Sequence, residues 1–175
     1  MATTKWTIDP THSEVTFKVK HLMISTVTGS FKVFEGQAES ETEDFKSVKN
    51  IEFKADVKSI NTNNEQRDEH LKSADFFAAD DHAELIFKAG NFDVNSDKMQ
   101  GELTIRNTTK PISLDVDFGG VVVDPYGQTK AGLTVSGKIS RKEFGLTWNS
   151  ITEAGSVVVS DEVRLSVEVQ FVKQA

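Results

Sequence analysis

Arg67, Asp68 and His70 fall within four positions of one another in the stretch NNEQRDEHLKSADFF, residues 63–77. A histidine beside a carboxylate is the usual equipment for general acid–base catalysis. The spacing works against that use. Asn63 followed by Gln66 resembles a capping box, and a helix of two to three turns is expected after it. On a helix, side chains two apart diverge, so Asp68 and His70 do not meet, whereas Asp68 and Lys72 are placed to pair on the solvent side. Arg67, His70 and Leu71 share another face, which suits Arg67 to pairing with strands or loops that the segment covers. Phe76 and Phe77 close the segment, either as a cork in one end of a packed fold or as the rim of a tunnel.

The remaining chemistry-bearing residues form no recognised pattern. The histidines at 12, 21, 70 and 82 show neither H-x-x-x-H nor H-E-x-x-H spacing, there are no cysteines, and no G-x-S-x-G occurs. No metal, no cofactor and no catalytic residue is therefore expected, and the chain reads as a non-enzyme.

The elements that position these residues are strands. SEVTFKVK, from Ser13, puts Val15, Phe17 and Val19 on one face and Glu14, Thr16, Lys18 and Lys20 on the other, the pattern of a half-buried strand. The alternation recurs in NIEFKADVKSI (50–60), GELTIR (101–106), PISLDVDFGG (111–120), AGLTVSGKIS (131–140) and DEVRLSVEVQFV (161–172). With strands at 31–38 and 85–94, about eight emerge. VNSD before Lys98, NTTK before Pro111 and DPYG at 124–127 supply turns between them. Short links make neighbouring antiparallel pairs, and eight one-sided strands must close or stack to hide their apolar faces and edges. The fold class expected is all-β, an extended eight-stranded antiparallel barrel with a short helical insertion near 63–77, as one domain over residues 1–175.

Composition narrows the partners. A formal charge of −7 disfavours nucleic acid and anionic membranes, because both are bound chiefly by lysine and arginine. The start MATTKWTIDP has no basic segment followed by an apolar run, and no run of about 18 apolar residues occurs. A cytoplasmic chain without a membrane span is expected, or a periplasmic one if a signal has been removed. Twelve phenylalanines against one tyrosine make the aromatic volume almost wholly apolar.

Several motifs then fall in order: WTIDPTHSEVTF (6–17), KHLMISTVTGSF (20–31), RDEHLKSADFF (67–77), GELTIRNTTKPI (101–112), RKEFGLTWN (141–149) and DEV (161–163). Together they resemble the YceI-like family, polyisoprenoid-binding proteins with a lipocalin-like barrel. The resemblance implies a long apolar pore holding an isoprenoid lipid, of the polyprenyl phosphate or quinone type, for carriage, storage or sequestration. It also implies links to transport and stress responses, and leaves room for a homodimer. Two departures stand out: Asn107 replaces a usual glycine, and DDHAE (80–84) lacks a proline before its strand, which would loosen the approach to it.

On that reading the pore is lined by Phe17, Val19, Phe31, Val33, Phe53, Phe76, Phe77, Phe87, Leu103, Ile105, Leu114, Phe118, Phe144 and Trp148. A polar head or lid would draw on His21, Arg67, His70, Arg106 and Arg141. The alternative is a packed barrel serving interaction or stress response with no bound lipid. The apolar strand faces alone do not separate the two.

Overall fold

The computed structural model describes residues 3–22, 24–74, 76–146 and 159–174. These form strands β1 (Thr4–Ile8), β2 (Glu14–His21), β3 (Ser25–Phe31), β4 (Phe34–Ser40), β5 (Ser47–Asp56), β6 (Ile60–Asn61), β7 (Glu84–Asp93), β8 (Lys98–Ile105), β9 (Thr108–Val123), β10 (Thr129–Ser140) and β11 (Val159–Lys173). A single α-helix among the described residues, α1 (Glu65–Lys72), lies between β6 and β7.

The ladders run β1-β4-β5-β7-β8-β9-β10-β11 and return to β1, which closes an eight-stranded antiparallel barrel. β2 and β3 lengthen two of its staves. Ile8 of β1 lies opposite Phe171 of β11, and Val15 of β2 lies opposite Val167, so β1 and β2 are two halves of one wall strand. β3 and β4 are halves of the next, interrupted at Lys32 and Val33. Closure leaves each apolar face turned inward, where Trp6, Phe45, Phe87, Phe92, Phe144 and Phe171 join one buried cluster and Val15, Phe31, Ala55 and Ile60 another.

Both interruptions have local causes. Pro10 cannot donate to a ladder, and the Asp9 side chain caps the 3-10 turn Pro10–His12 by accepting from Thr11 N at 3.0 Å. At the second break Val33 is 58 % exposed, which corrects its expected place in the pore: the chain bends there, and the Val33 carbonyl instead receives Asp56 N at 2.9 Å. The strand expected through Val57 also ends sooner, at Asp56, whose side chain caps a 3-10 turn over Val57–Ser59.

The helix is present, with a different cap. Asn64, not Asn63, accepts from Arg67 N at 3.0 Å, while Asn63 turns the chain at φ 63. Asp68 does not pair with Lys72. It accepts from Thr62 N and Oγ1 at 2.9 and 2.5 Å, and Lys72 pairs with Glu69 at 3.2 Å. The turn expected over NTTK narrows to Arg106 and Asn107, and the positive φ (57) falls on Arg106. Thr108 to Pro111 are already in β9, where Pro111 has a ladder partner, Glu102 of β8, on one flank alone, since pairing with β10 starts at Asp115. The approach to β7 is tied down by Asp81 N and His82 N, both donating to Ala78 O, and by Val57 N to Ala83 O.

Candidate functional site

The two ends of the barrel are built from different material. At one end the β4–β5 loop drives Phe45 inward. Its ring meets Trp6 edge-on at 4.9 Å, stacks on Phe118 at 6.0 Å and tilts against Phe171 at 5.4 Å. Trp6 Nε1 donates to Ser40 Oγ at 2.8 Å, and Ser40 Oγ donates to Thr42 O at 2.5 Å, so the buried indole fixes the loop that carries the plug. Phe45 has φ 59, a conformation costing about 1–2 kcal/mol in a non-glycine residue, less than the roughly 2–3 kcal/mol from burying its ring.

The other end carries α1, none of whose residues is fully buried. Leu71 and Phe77 reach in from above, half-buried, and the Phe77 ring meets Phe31 edge-on at 6.2 Å.

Between these ends lies an apolar cavity of about 150 Å³. Of the expected pore residues, Phe17, Phe31, Phe53, Phe87, Leu103, Ile105 and Leu114 border it. Sequence reasoning missed other lining residues: Leu85, Leu133, Leu165 and Val167 stand at inward positions of the expected strands, and Ile8 stands on β1, which was not expected as a strand. Thr16, Glu52 and Ser136 also border it, from outward positions of their strands.

Several expected residues lie elsewhere. Phe76, Phe118 and Phe144 are in the same apolar cluster but off the cavity, Phe118 because it stacks on the plug. Val19 lies further along β2, opposite Val27 and Val163. Trp148 lies outside the described residues.

The five expected polar-head or lid residues all fall at the helical end, where β2, β8 and β10 finish. His21 ends β2, opposite Ser25 and Val159. The others do not converge into one cationic nest. Arg67 donates from Nε to Thr62 Oγ1 at 2.7 Å and from Nη2 to Thr62 O at 2.5 Å, which fastens α1 to the loop before it. The His70 ring meets Phe76 edge-on at 5.1 Å. Arg106 Nη1 donates to Gly145 O at 3.3 Å. Arg141 is buried and donates to Ser160 O at 2.9 Å and Leu146 O at 2.6 Å; burial lowers its pKa, and the nearby Asp161 carboxylate opposes that shift.

A second polar group, unassigned by sequence reasoning, sits at the β1–β2 break. Lys130 Nζ, almost wholly buried, lies 3.0 Å from Asp9 Oδ2, 3.4 Å from Gln170 Oε1 and 3.6 Å from Asp124 Oδ2. His12 Nδ1 is 2.7 Å from the same Asp9 oxygen. The hydrogen bond from His12, aided by Lys130, holds the Asp9 carboxyl at about 2 against an ordinary 3.8. Ser13 Oγ accepts from Gln170 N at 3.0 Å. The signal was the segment DPTHS, residues 9–13, whose polar residues reappear here as a staple across the strand break. Among the described residues no three His, Asp or Glu side chains gather as a metal would require.

Residues 6–171 match the YceI-like domain. The chain belongs to the YceI-like family. A YceI-like relative, the UPF0312 protein SERP2314 of Staphylococcus epidermidis, is 37 % identical over 169 residues, covering 96 % of this chain and 97 % of that one. The UPF0312 protein SA2479 of Staphylococcus aureus matches to the same extent. Among solved structures, the Campylobacter jejuni YceI protein superposes with a TM-score of 0.75 at 32 % identity, over 89 % of this chain and 90 % of that one. A polyisoprenoid binding domain from Saccharophagus degradans shares the YceI-like fold at a TM-score of 0.71 and 14 % identity, over 97 % and 98 % of the two chains. Among the described residues, no helix is long and apolar enough to cross a membrane.

Proposed function

We propose that this YceI-like barrel binds a slender isoprenoid chain in its lumen, for carriage, storage or sequestration, and performs no catalysis. The observation that carries the reading is the apolar cavity of about 150 Å³ inside the barrel. Protein cores otherwise keep few spaces larger than a water molecule, so an apolar recess of this size inside a barrel calls for an occupant. An apolar space of that size suits a benzene-sized group, which is the scale of one isoprene unit.

Each further isoprene unit gains about 4 kcal/mol when it leaves water, at about 0.8 kcal/mol for each carbon. To lie along the barrel it displaces Phe77 and Leu71, which are half-buried under a helix that itself buries little. The Phe45 end is closed by fully buried aromatic rings, so the chain enters from the helical end and leaves its phosphate or quinone head there. The fold is one that a polyisoprenoid binding domain also uses, and the apolar lining supplies the ligand class.

The test is native mass spectrometry of the protein from its own source with organic extraction, then titration with a polyprenyl phosphate and an isoprenoid quinone. A stoichiometric prenyl lipid, or saturable uptake of either probe, is expected. An empty protein that takes up neither would overturn the proposal in favour of a packed interaction module.

A further inference from the structure

Two glycines of the sequence motifs, Gly29 in VTGSF and Gly101 in GELTIR, lie beneath aromatic rings that border the cavity. Gly29 of β3 lies directly opposite Phe17 of β2. A methyl group on Gly29 would sit 2.7 and 2.9 Å from two ring carbons of Phe17 and closer still to a third. The tip of the ring therefore lies over the glycine, in space that the side chain of any other residue would fill. Gly101 of β8 receives the Phe87 ring in the same way, two of whose carbons would be 2.5 and 2.6 Å from a methyl there.

The arrangement recurs around the wall. Ile8 Cδ1 rests on Gly36 of β4, and Leu114 Cδ2 would be 2.7 Å from a methyl on Gly137 of β10. Phe17, Ile8, Phe87 and Leu114 all border the cavity. Among the described residues, then, four glycines on four strands each seat a bulky lining side chain against the wall and away from the barrel axis.

The geometry points to these seats as the determinants of lumen calibre: Phe17 on Gly29 and Phe87 on Gly101 keep the bore open to one slender methyl-branched chain and closed to fused-ring lipids. As to ligand, this rests on the isoprenoid reading; as to bore, it stands on the cavity alone. A side chain at a seat lifts its partner toward the axis until ordinary contact of 3.4–4 Å is restored, and the lost space comes out of a cavity only about 150 Å³ in size.

Gly29 is the site to test, because its close contacts are with the tip of one ring, whereas a methyl on Gly101 would also press on Lys88 O at 2.6 Å. Xenon uptake, followed by 129Xe NMR, reads the bore without any lipid, and geranylgeraniol and cholesterol titrations read selectivity. In Gly29→Ala, xenon uptake falls and geranylgeraniol binds about tenfold more weakly, the scale of one misfitting methyl in an apolar pocket. Adding Phe17→Leu restores both. Gly36→Ala is the second variant should the first fold poorly. Gly90→Ala, at a glycine with nothing within 4 Å of a methyl, changes neither.

Unchanged xenon uptake in folded Gly29→Ala and Gly36→Ala overturns the assignment, as does wild-type protein binding cholesterol as tightly as geranylgeraniol. Wild-type protein that takes xenon, loses it on Gly29→Ala and binds no prenyl alcohol would sink the carrier reading while upholding the seats.

Discussion

The barrel is stoppered at both ends, by unlike devices. At the Phe45 end, aromatic rings pack on one another, a buried indole is hydrogen-bonded, and a backbone residue is held at positive φ by the burial it permits. At the helical end, a two-turn helix with no fully buried residue is fastened mainly through Thr62. The contrast teaches that closure and access are different designs: the first stopper is part of the core, and the second is only laid on it.

The largest effect is expected at Trp6. Trp6→Ala removes the wall of the plug and leaves Ser40 without its donor, and a loss of about 4 kcal/mol is expected by chemical denaturation. Ligand uptake per folded molecule should stay unchanged, because the plug is not the way in. Arg141 gives the next largest effect. Arg141→Met strands the Ser160 and Leu146 carbonyls, and a loss of about 3 kcal/mol is expected. If Arg141→Met instead left stability intact and weakened a polyprenyl phosphate, the residue would be a head-group ligand.

Asp9 makes stability depend on pH. Its folded pKa is depressed, so its stabilisation is present above the ordinary carboxylate value of 3.8 and is lost as pH falls toward about 2. Asp9→Asn should cost about 2 kcal/mol at neutral pH and flatten the stability profile in that acid window. A variant whose acid transition matches the wild type would show that the Lys130 staple contributes nothing. The smallest effect belongs to Arg67→Ala, about 1 kcal/mol from two hydrogen bonds to Thr62, with faster exchange of bound prenyl chain by stopped-flow fluorescence. Unchanged exchange would mean that α1 does not gate the lumen.

How far the molecule was legible in sequence follows the same division. Alternation located the inward faces of β2, β5, β8, β9, β10 and β11, because a two-residue period with one buried face is a long-range property written locally. Five expected lining residues, Phe17, Phe53, Leu103, Ile105 and Leu114, border the cavity for that reason. β1 escaped notice because five residues of TKWTI, followed by Asp9 and Pro10, carry too short a period. Val33 was misplaced because a bend interrupts the count without changing residue types. Phe45 was invisible as a plug, since loop residues obey no period and its positive φ depends on partners brought in by folding. The arginines were recognised as candidates for a polar head or lid, but not as residues already engaged with backbone carbonyls, which only tertiary structure decides.

β1 pairs with β11, and Gln174 N donates to Lys5 O at 2.8 Å, so the seam of the barrel is sewn by strands from opposite ends of the chain. Without this seam the sheet is an open one, and the lumen has no inside. Closing the barrel thus requires a contact of very high sequence separation, a kind of contact that forms slowly. The same proximity makes the chain ends a natural place for a covalent bridge, with new ends cut at the 124–128 turn.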